Sequence, residues 1–447
     1  MNFIRILIAA LPLLALVACG GGVGGGTPGN GPAIQGFSAG TTTLFVGERA
    51  RLTASFSGGQ GRIEPGIGPV QSGVPVLTPP LDANRRYTLV VEAAGQPAAR
   101  RDLDLAVGYR DRYQQLPVPF LVQYHAAVTT ADGTALVIGG SRGTNVLSDA
   151  IDRFDPVTGG FTRIGTLRTG RGNHTATRLA DGRILVLGGN VSVDIGAVAD
   201  VIDPRTGAVS GGGTLQLPRH RHATVALADG RALVVGGSNR NTVELWDPAT
   251  SSFRLVAARM SHVREYPTAT LLADGRVLIA GGYTVAPTYV FAEVFDPRTE
   301  TFAPVAAAVR ERRYFHTAHR LRNGKVLLAG GETADDATGA VTPLASVLEF
   351  DPALGTLTLL RALDTARTLA AAVQSPDDDL LLFGGDTPGA APTASAAGYR
   401  AAAPRSLATM PQARAFHTAT RMGDGRVLIV GGDDARGDPV SSVLIYE

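Results

Sequence analysis

The chain has 447 residues, of which 44% are hydrophobic, 18% charged and 6% aromatic, and its 41 basic residues nearly balance 39 acidic ones. This near-zero charge excludes the strongly basic surface of a nucleic-acid-binding protein, and the hydrophobic content excludes a disordered chain. The single cysteine, Cys19, excludes a disulfide-rich scaffold and any metal site built from several cysteines. The length suits two or three domains, or one large repeat array.

The first residues have the pattern of an exported lipoprotein. Met1–Arg5 is basic, and Ile6–Ala18 is an apolar run that is too short to cross a bilayer but typical of a signal peptide. The four residues ending at Cys19 resemble a bacterial lipobox, which implies a lipoprotein signal peptide over residues 1–18 and an acyl anchor on Cys19. Gly20 then implies sorting to the outer membrane of the bacterial cell envelope. The alternative is an ordinary secretory signal.

Two further segments precede the repeats. Residues 19–32 are rich in glycine and predict a flexible tether. Residues 33–107 contain short runs that alternate between apolar and polar positions, such as Leu52–Phe56 and Tyr87–Val91, with glycine and proline turns between them. This pattern predicts a small β-sandwich, and it resembles bacterial immunoglobulin-like modules.

From residue 109 to residue 447 one motif occurs seven times. Each copy has an apolar run followed by a glycine pair, and six copies have Asp-Gly or Asn-Gly seven residues earlier, which is typical of a tight hairpin. Five copies continue with Asp-Pro, which ends a third strand. Four strands per unit indicate an all-β fold, a seven-bladed β-propeller. The glycine pairs begin at Gly139, Gly188, Gly236, Gly281, Gly330, Gly384 and Gly431.

The turn, apolar strand, glycine pair and aromatic-Asp-Pro together resemble the kelch motif, over about three quarters of the chain. They also resemble the kelch-type propeller of galactose oxidase. The last copy stops after three strands, so we expect residues 109–116 to supply its fourth strand and close the ring, because an open ring would leave an unpaired edge. The sixth copy has Asp377-Asp378-Asp379 in place of the usual turn, which predicts an irregular blade edge.

Two polar positions repeat at the start of each copy. A histidine lies fourteen residues before the first glycine in five copies: His125, His174, His222, His316 and His417. An arginine lies three residues earlier in six copies: Arg171, Arg219, Arg264, Arg313, Arg367 and Arg414. In kelch propellers this segment faces the mouth of the central channel.

These two registers allow two interpretations. One is a ring of ligand-binding groups suited to an anionic or hydroxyl-rich ligand. The other is a purely architectural role, in which arginine bonds to main-chain carbonyls or a carboxylate and histidine bonds to a turn. Repetition in nearly every copy favours architecture, because a ligand site usually breaks the symmetry.

A metal ion bound by the whole histidine ring is not expected, because inner strands roughly 11 Å from the axis are too distant for side chains that reach about 6 Å. Tyr124 and His125, with Tyr266 at a position equivalent to Tyr124, resemble the Tyr-His pair of galactose oxidase and form a weak copper candidate. That family's redox cofactor requires a tyrosine cross-linked to a cysteine, and Cys19 is assigned to the lipobox. We therefore predict no cofactor.

The expected function is non-catalytic binding of a protein or a glycan by a lipoprotein anchored to the membrane through Cys19. No nucleic-acid partner and no catalytic residue are predicted. The alternative is a carbohydrate-active enzyme, similar to kelch-type oxidases or epimerases, and this alternative depends on the resemblance in fold alone.

Overall fold

A computed structural model describes residues 31–142, 146–190, 196–284, 289–307, 312–335, 338–389, 391–400 and 402–447. Within these ranges all regular structure is β-strand, so the predicted all-β class is confirmed. The same ranges contain no helix long and apolar enough to cross a membrane. The predicted signal peptide, Cys19 and the tether up to residue 30 lie outside the described residues.

The N-terminal module consists of two sheets that share one core. The first sheet contains, in spatial order, Ala33–Ala39, Arg51–Ser57 and Val76–Leu77. The second contains Thr43–Phe45, Ala99–Gly108, Arg85–Glu92, Gln60–Glu64 and Gly68–Val70. Leu52 from one sheet and Leu89 and Val91 from the other are fully buried in the common core.

Seven further sheets follow, which we number 1 to 7. Sheet 1 contains Ala126–Thr129, Ala135–Ile138, Ala150–Phe154 and Phe161–Thr166. Sheet 2 contains Thr175–Arg178, Ile184–Leu187, Val198–Ile202 and Val209–Thr214. Sheet 3 contains Ala223–Ala226, Ala232–Val235, Val243–Asp247 and Ser252–Leu255. Sheet 4 contains Thr268–Leu271, Val277–Ala280, Ala292–Asp296 and Thr301–Pro304.

The last three sheets vary this plan. Sheet 5 contains Thr317–Arg320, Val326–Ala329, Val347–Asp351 and Thr356–Leu360, with Ala306–Ala307 added in parallel at its edge. Sheet 6 contains Ala371–Gln374, Leu380–Phe383, Ala396–Arg400 and Ala403–Leu407. Sheet 7 contains Thr418–Arg421, Val427–Val430, Leu444–Tyr446 and Tyr113–Gln115. Two small hairpins follow the glycine pairs of sheets 5 and 6: Glu332–Ala334 with Val341–Pro343, and Asp386–Thr387 with Ala391–Pro392.

The first strands of the seven sheets contact one another in a closed ring, and that of sheet 7 lies against that of sheet 1. The ring is the arrangement of a β-propeller. Its last sheet is completed from the other end of the repeat region, because Tyr113–Gln115 pairs antiparallel with Leu444–Tyr446. In every sheet all four residues of the second strand are buried, as continuous apolar runs require.

The glycine pairs are the points at which neighbouring sheets join. In sheet 3 the amide of Gly237 donates to the carbonyl of Arg264 in sheet 4 at 2.8 Å, and the equivalent bond occurs at every junction. Gly236 has φ of +62°, and a Cβ there would lie 2.5 Å from the same carbonyl oxygen. Only glycine permits both this backbone conformation and this approach, which explains why the pair recurs.

Candidate functional site

The six arginines of the repeat are buried inside the sheets. Each donates from Nη1 to the carbonyl oxygen of the first glycine of its own sheet, at 2.6 to 3.2 Å. Arg219 also pairs with buried Glu244 at 2.7 Å, while Arg414 donates to the Ser442 hydroxyl at 2.6 Å. Arg171, Arg219, Arg264, Arg313, Arg367 and Arg414 are all exposed by 2% or less. Of the two interpretations open from the sequence, these contacts favour the architectural one.

The five histidines are buried at the junctions between sheets. The Nε2 atom of His316 in sheet 5 lies 2.9 Å from the Thr268 hydroxyl of sheet 4. His125 makes the same bond to Thr418 of sheet 7, and His222 makes it to Thr175 of sheet 2. Burial lowers the pKa to about 3 in His125, His174, His222 and His316, and it lowers the pKa of His417 in the same direction. At neutral pH these imidazoles are therefore uncharged.

The mouth cavity is lined by the five histidines and, in each of the seven copies, by the residue directly before the histidine register. These seven positions have φ between +54° and +59°, although none is glycine. A non-glycine residue in this region costs roughly 1–2 kcal/mol, and such strain is typical of functional sites. We call these positions the mouth ring: Tyr124, Asn173, Arg221, Tyr266, Phe315, Leu369 and Phe416. They line a cavity of about 320 Å³ with residues from all seven sheets.

The mouth ring is held together by its own main chain. The amide of Tyr266 donates to the Arg221 carbonyl at 2.8 Å, and that of Asn173 donates to the Tyr124 carbonyl at 2.9 Å. Only Tyr124 and Tyr266 of this ring were candidates from the sequence. The signal for the remaining members is their place beside a repeated histidine, where the residue type varies from copy to copy.

Four aromatic members of the mouth ring form an arc. The ring centroids of Tyr266 and Phe315 are 4.1 Å apart, those of Phe315 and Phe416 6.3 Å, and those of Phe416 and Tyr124 6.1 Å. Tyr124 and Phe416 remain 37% and 39% exposed, so their faces are available to a ligand. The guanidinium of Arg221 lies over the Tyr266 ring, 5.3 Å from its centroid.

A second cavity of about 750 Å³ extends from the mouth between sheets 3, 4 and 5, and we call it the side cleft. It shares Arg221, Tyr266 and Phe315 with the mouth, and Tyr283 and Tyr314 form part of its wall. The rings of Tyr283 and Tyr314 meet edge to face at 5.4 Å. Aromatic walls with a few polar groups are typical of ligand sites.

The side cleft also contains acidic groups. Glu265 is paired with Arg221 at 2.9 Å, whereas Glu332 forms no ion pair with arginine or lysine within the described ranges. Burial raises the pKa of Glu332, and the nearby Asp386 carboxylate raises it as well. Glu332, Asp386 and Asp433 follow the glycine pairs of sheets 5, 6 and 7, and burial raises the pKa of each.

The three residues of the weak copper candidate, Tyr124, His125 and Tyr266, all line the mouth cavity. Nε2 of His125 lies 2.8 Å from the Thr418 hydroxyl at the junction of sheets 1 and 7, so that nitrogen already has a partner within the fold. Across the described part of the chain, no three histidine, cysteine, aspartate or glutamate side chains are grouped so that they could hold a metal ion.

Comparison with known proteins identifies the fold class. No protein-family model matches this chain, and no curated protein matches it. Among solved structures the chain is similar to a fungal alcohol oxidase of the AA5 family determined in complex with copper. The two share 18% sequence identity with a TM-score of 0.62, over 75% of this chain and 76% of the oxidase chain. This similarity establishes the class of the fold, a galactose-oxidase-like β-propeller.

Proposed function

We propose that this chain is a glycan-binding protein that takes its ligand at the mouth ring and the side cleft. In this proposal the seven sheets are the blades of a kelch-type propeller, and the N-terminal module is an immunoglobulin-like sandwich. Cys19 carries the acyl anchor that holds the protein at the bacterial outer membrane. The observation that carries the proposal is the aromatic arc at the channel mouth, beside the polar side cleft.

The chemistry of a sugar matches these surfaces. The C–H face of a pyranose ring packs against an aromatic ring, and the arc from Tyr266 to Tyr124 offers several such rings in succession. Sugar hydroxyls require both donors and acceptors, and Arg221 and Glu265 supply both at the edge of the arc. Asn173 adds an amide next to Tyr124, at the other end of the arc.

The similar solved structure is an oxidase, and at the level of fold this favours the enzymatic alternative over a non-catalytic binder. The residues of this chain do not fit a copper site of that kind. Three of the five buried histidines next to the mouth, His125, His222 and His316, are hydrogen-bonded to a threonine of the neighbouring sheet, and the sequence has no cysteine in the propeller to modify a tyrosine. Hydrogen peroxide release from alcohols or sugars by the copper-supplemented protein would instead support the enzymatic alternative.

The proposal is tested by binding of the full chain to a panel of immobilised glycans, followed by titration with the best ligand. Tyr266→Ala and Phe416→Ala each remove one stacking ring, so we expect affinity to fall about tenfold, which corresponds to about 1.4 kcal/mol. Leu369→Ala is the matched control, because Leu369 has the same positive φ in the same ring but no aromatic face. Equal affinities for all variants would contradict the proposed site.

A further inference from the structure

We infer that the glycan bound in the side cleft carries a cationic amino group, as polymers of glucosamine do, and that its ammonium group lies between Glu332 and the rings of Tyr283 and Tyr314. This inference rests on the proposed function and specifies the ligand for it. Two observations support this inference: the net charge of the residues that line the cleft, and the arrangement of the aromatic rings in its walls.

Glu332 is a buried carboxylate that lacks a cationic partner of its own. It is 9% exposed and lines the side cleft. Hydrogen bonding by Tyr314 and Thr368 lowers the pKa of Glu332, whereas burial and the like-charged Asp386 raise it. A charge taken out of water without a partner is unfavourable, so such a group either takes up a proton or pairs with a cation that enters the site. A ligand ammonium group supplies that cation.

Among the described residues that line the cleft, the other charged groups do not supply a cationic partner for Glu332. The guanidinium of Arg221 is paired with Glu265 at 2.9 Å and lies over the Tyr266 ring. Within the same described lining, the three carboxylates of Glu265, Glu332 and Asp335 outnumber the two guanidinium groups of Arg221 and Arg312, so this part of the cleft has a net negative charge.

The aromatic walls independently favour a cation. Tyr283 and Tyr314 meet at 76°, and Tyr314 and Phe315 lie 5.2 Å apart at 56°, so rings face the cavity from several directions. Tyr283 is 38% exposed and can be approached from the cleft. A cation near the faces of such rings is attracted by their electron density, and ammonium ligands are commonly bound this way.

A lysine side chain of a protein would satisfy the same charge requirement. The glycan is favoured because the side cleft is continuous with the aromatic arc through Tyr266 and Phe315, which both cavities share. A chain of linked sugar rings can occupy the arc and the cleft together, with its amino group directed to Glu332.

The test is calorimetric titration of the full chain at pH 6.0 with a hexamer of glucosamine and, separately, with a hexamer of N-acetylglucosamine. The two probes have the same backbone, and only the first is cationic. We expect the glucosamine hexamer to bind about tenfold more tightly, and Glu332→Gln to remove this difference. Glu92→Gln is the control, because its side chain is 55% exposed on the N-terminal module.

Glu332→Gln is expected to fold, because it removes a buried charge that has no ion-pair partner, and its thermal unfolding checks this. Tyr283→Ala provides a second variant that should also reduce the preference for the glucosamine hexamer. Equal binding of both hexamers by the unmodified protein would overturn this inference and leave glycan binding intact. Absence of binding to any glycan would overturn the proposed function, and tighter binding of a hexalysine peptide would overturn the glycan assignment.

Discussion

Three of the seven junctions between sheets have the same side-chain hydrogen bond, between a histidine ring nitrogen and the hydroxyl of a threonine in the preceding sheet. Two further junctions have the histidine but not the threonine. The sheets that precede His174 and His417 have Ala126 and Ala371 at the threonine position, so each of these rings lacks the hydroxyl partner and is left with a main-chain bond, to Ile138 or Phe383. These two junctions lack one buried hydrogen bond that the other three have, which weakens them by comparison.

Ala126→Thr should therefore stabilise the protein. The new hydroxyl would lie opposite His174 as Thr268 lies opposite His316, and one buried hydrogen bond contributes about 1 kcal/mol to the free energy of unfolding. The matched control is Ala223→Thr, because the following sheet has Pro267 in place of the histidine and offers no ring nitrogen. Urea unfolding measures both variants, and equal stabilities would show that the bond does not form.

Residue periodicity identifies the segment beside the mouth but not which of its side chains line the cavity. The kelch resemblance implies that both registers face the channel mouth; the five histidines line the mouth cavity, whereas the six arginines are buried within their sheets. Tyr124 has a positive φ and lines the cavity beside His125, whose Nε2 lies at the junction with Thr418. Tyrosine, asparagine, arginine, phenylalanine and leucine share this conformation here, so no residue type indicated it in advance.

At the scale of the strand and turn, substitutions for glycine should have different effects at two positions of the same sheet. Gly236→Ala brings a Cβ to 2.5 Å from the Arg264 carbonyl, so the junction of sheets 3 and 4 must open, at a cost of about 3 kcal/mol or more. Gly230→Ala lies in a hairpin with φ of +91° and no heavy atom within 4 Å of the new Cβ, and it should cost about 1–2 kcal/mol. Chemical unfolding compares them, and similar losses would mean that the junction tolerates the displacement.

Sheet 6 is more regular than the sequence of the sixth copy predicts. Its three aspartates predict an irregular blade edge, but Ala396–Arg400 pairs with Ala403–Leu407 without a register shift. Asp378 adopts φ of 71° and takes the place of the turn glycine. Tyr399 is buried and donates its hydroxyl to the Arg361 carbonyl at 2.7 Å, so packing holds the strand without the Asp-Pro signal.

At the scale of the whole molecule, the N-terminal module is attached to the propeller beside the point of ring closure. Arg421 of sheet 7 donates to the Asp82 carbonyl at 2.6 Å, and the Tyr109 hydroxyl donates to the Gly425 carbonyl at 2.7 Å. Tyr109 packs against both the module core and the core between sheets 6 and 7. The module and the closing strand therefore support the same sheet.

The closing strand should control the stability of the entire ring. Tyr446 is fully buried, and its ring lies 5.1 Å from both Tyr109 and Tyr113, so removing residues 109–116 exposes an aromatic cluster together with the edge of Leu444–Tyr446. We expect a chain that begins at residue 109 to unfold in one cooperative thermal transition. A chain that begins at residue 117 lacks the fourth strand of sheet 7 and should unfold at least about 10 °C lower or aggregate through the exposed edge. Both chains lack the N-terminal module, so their difference isolates the closing strand. Calorimetry and light scattering measure it, and coincident transitions would show that closure contributes little to the stability of the ring.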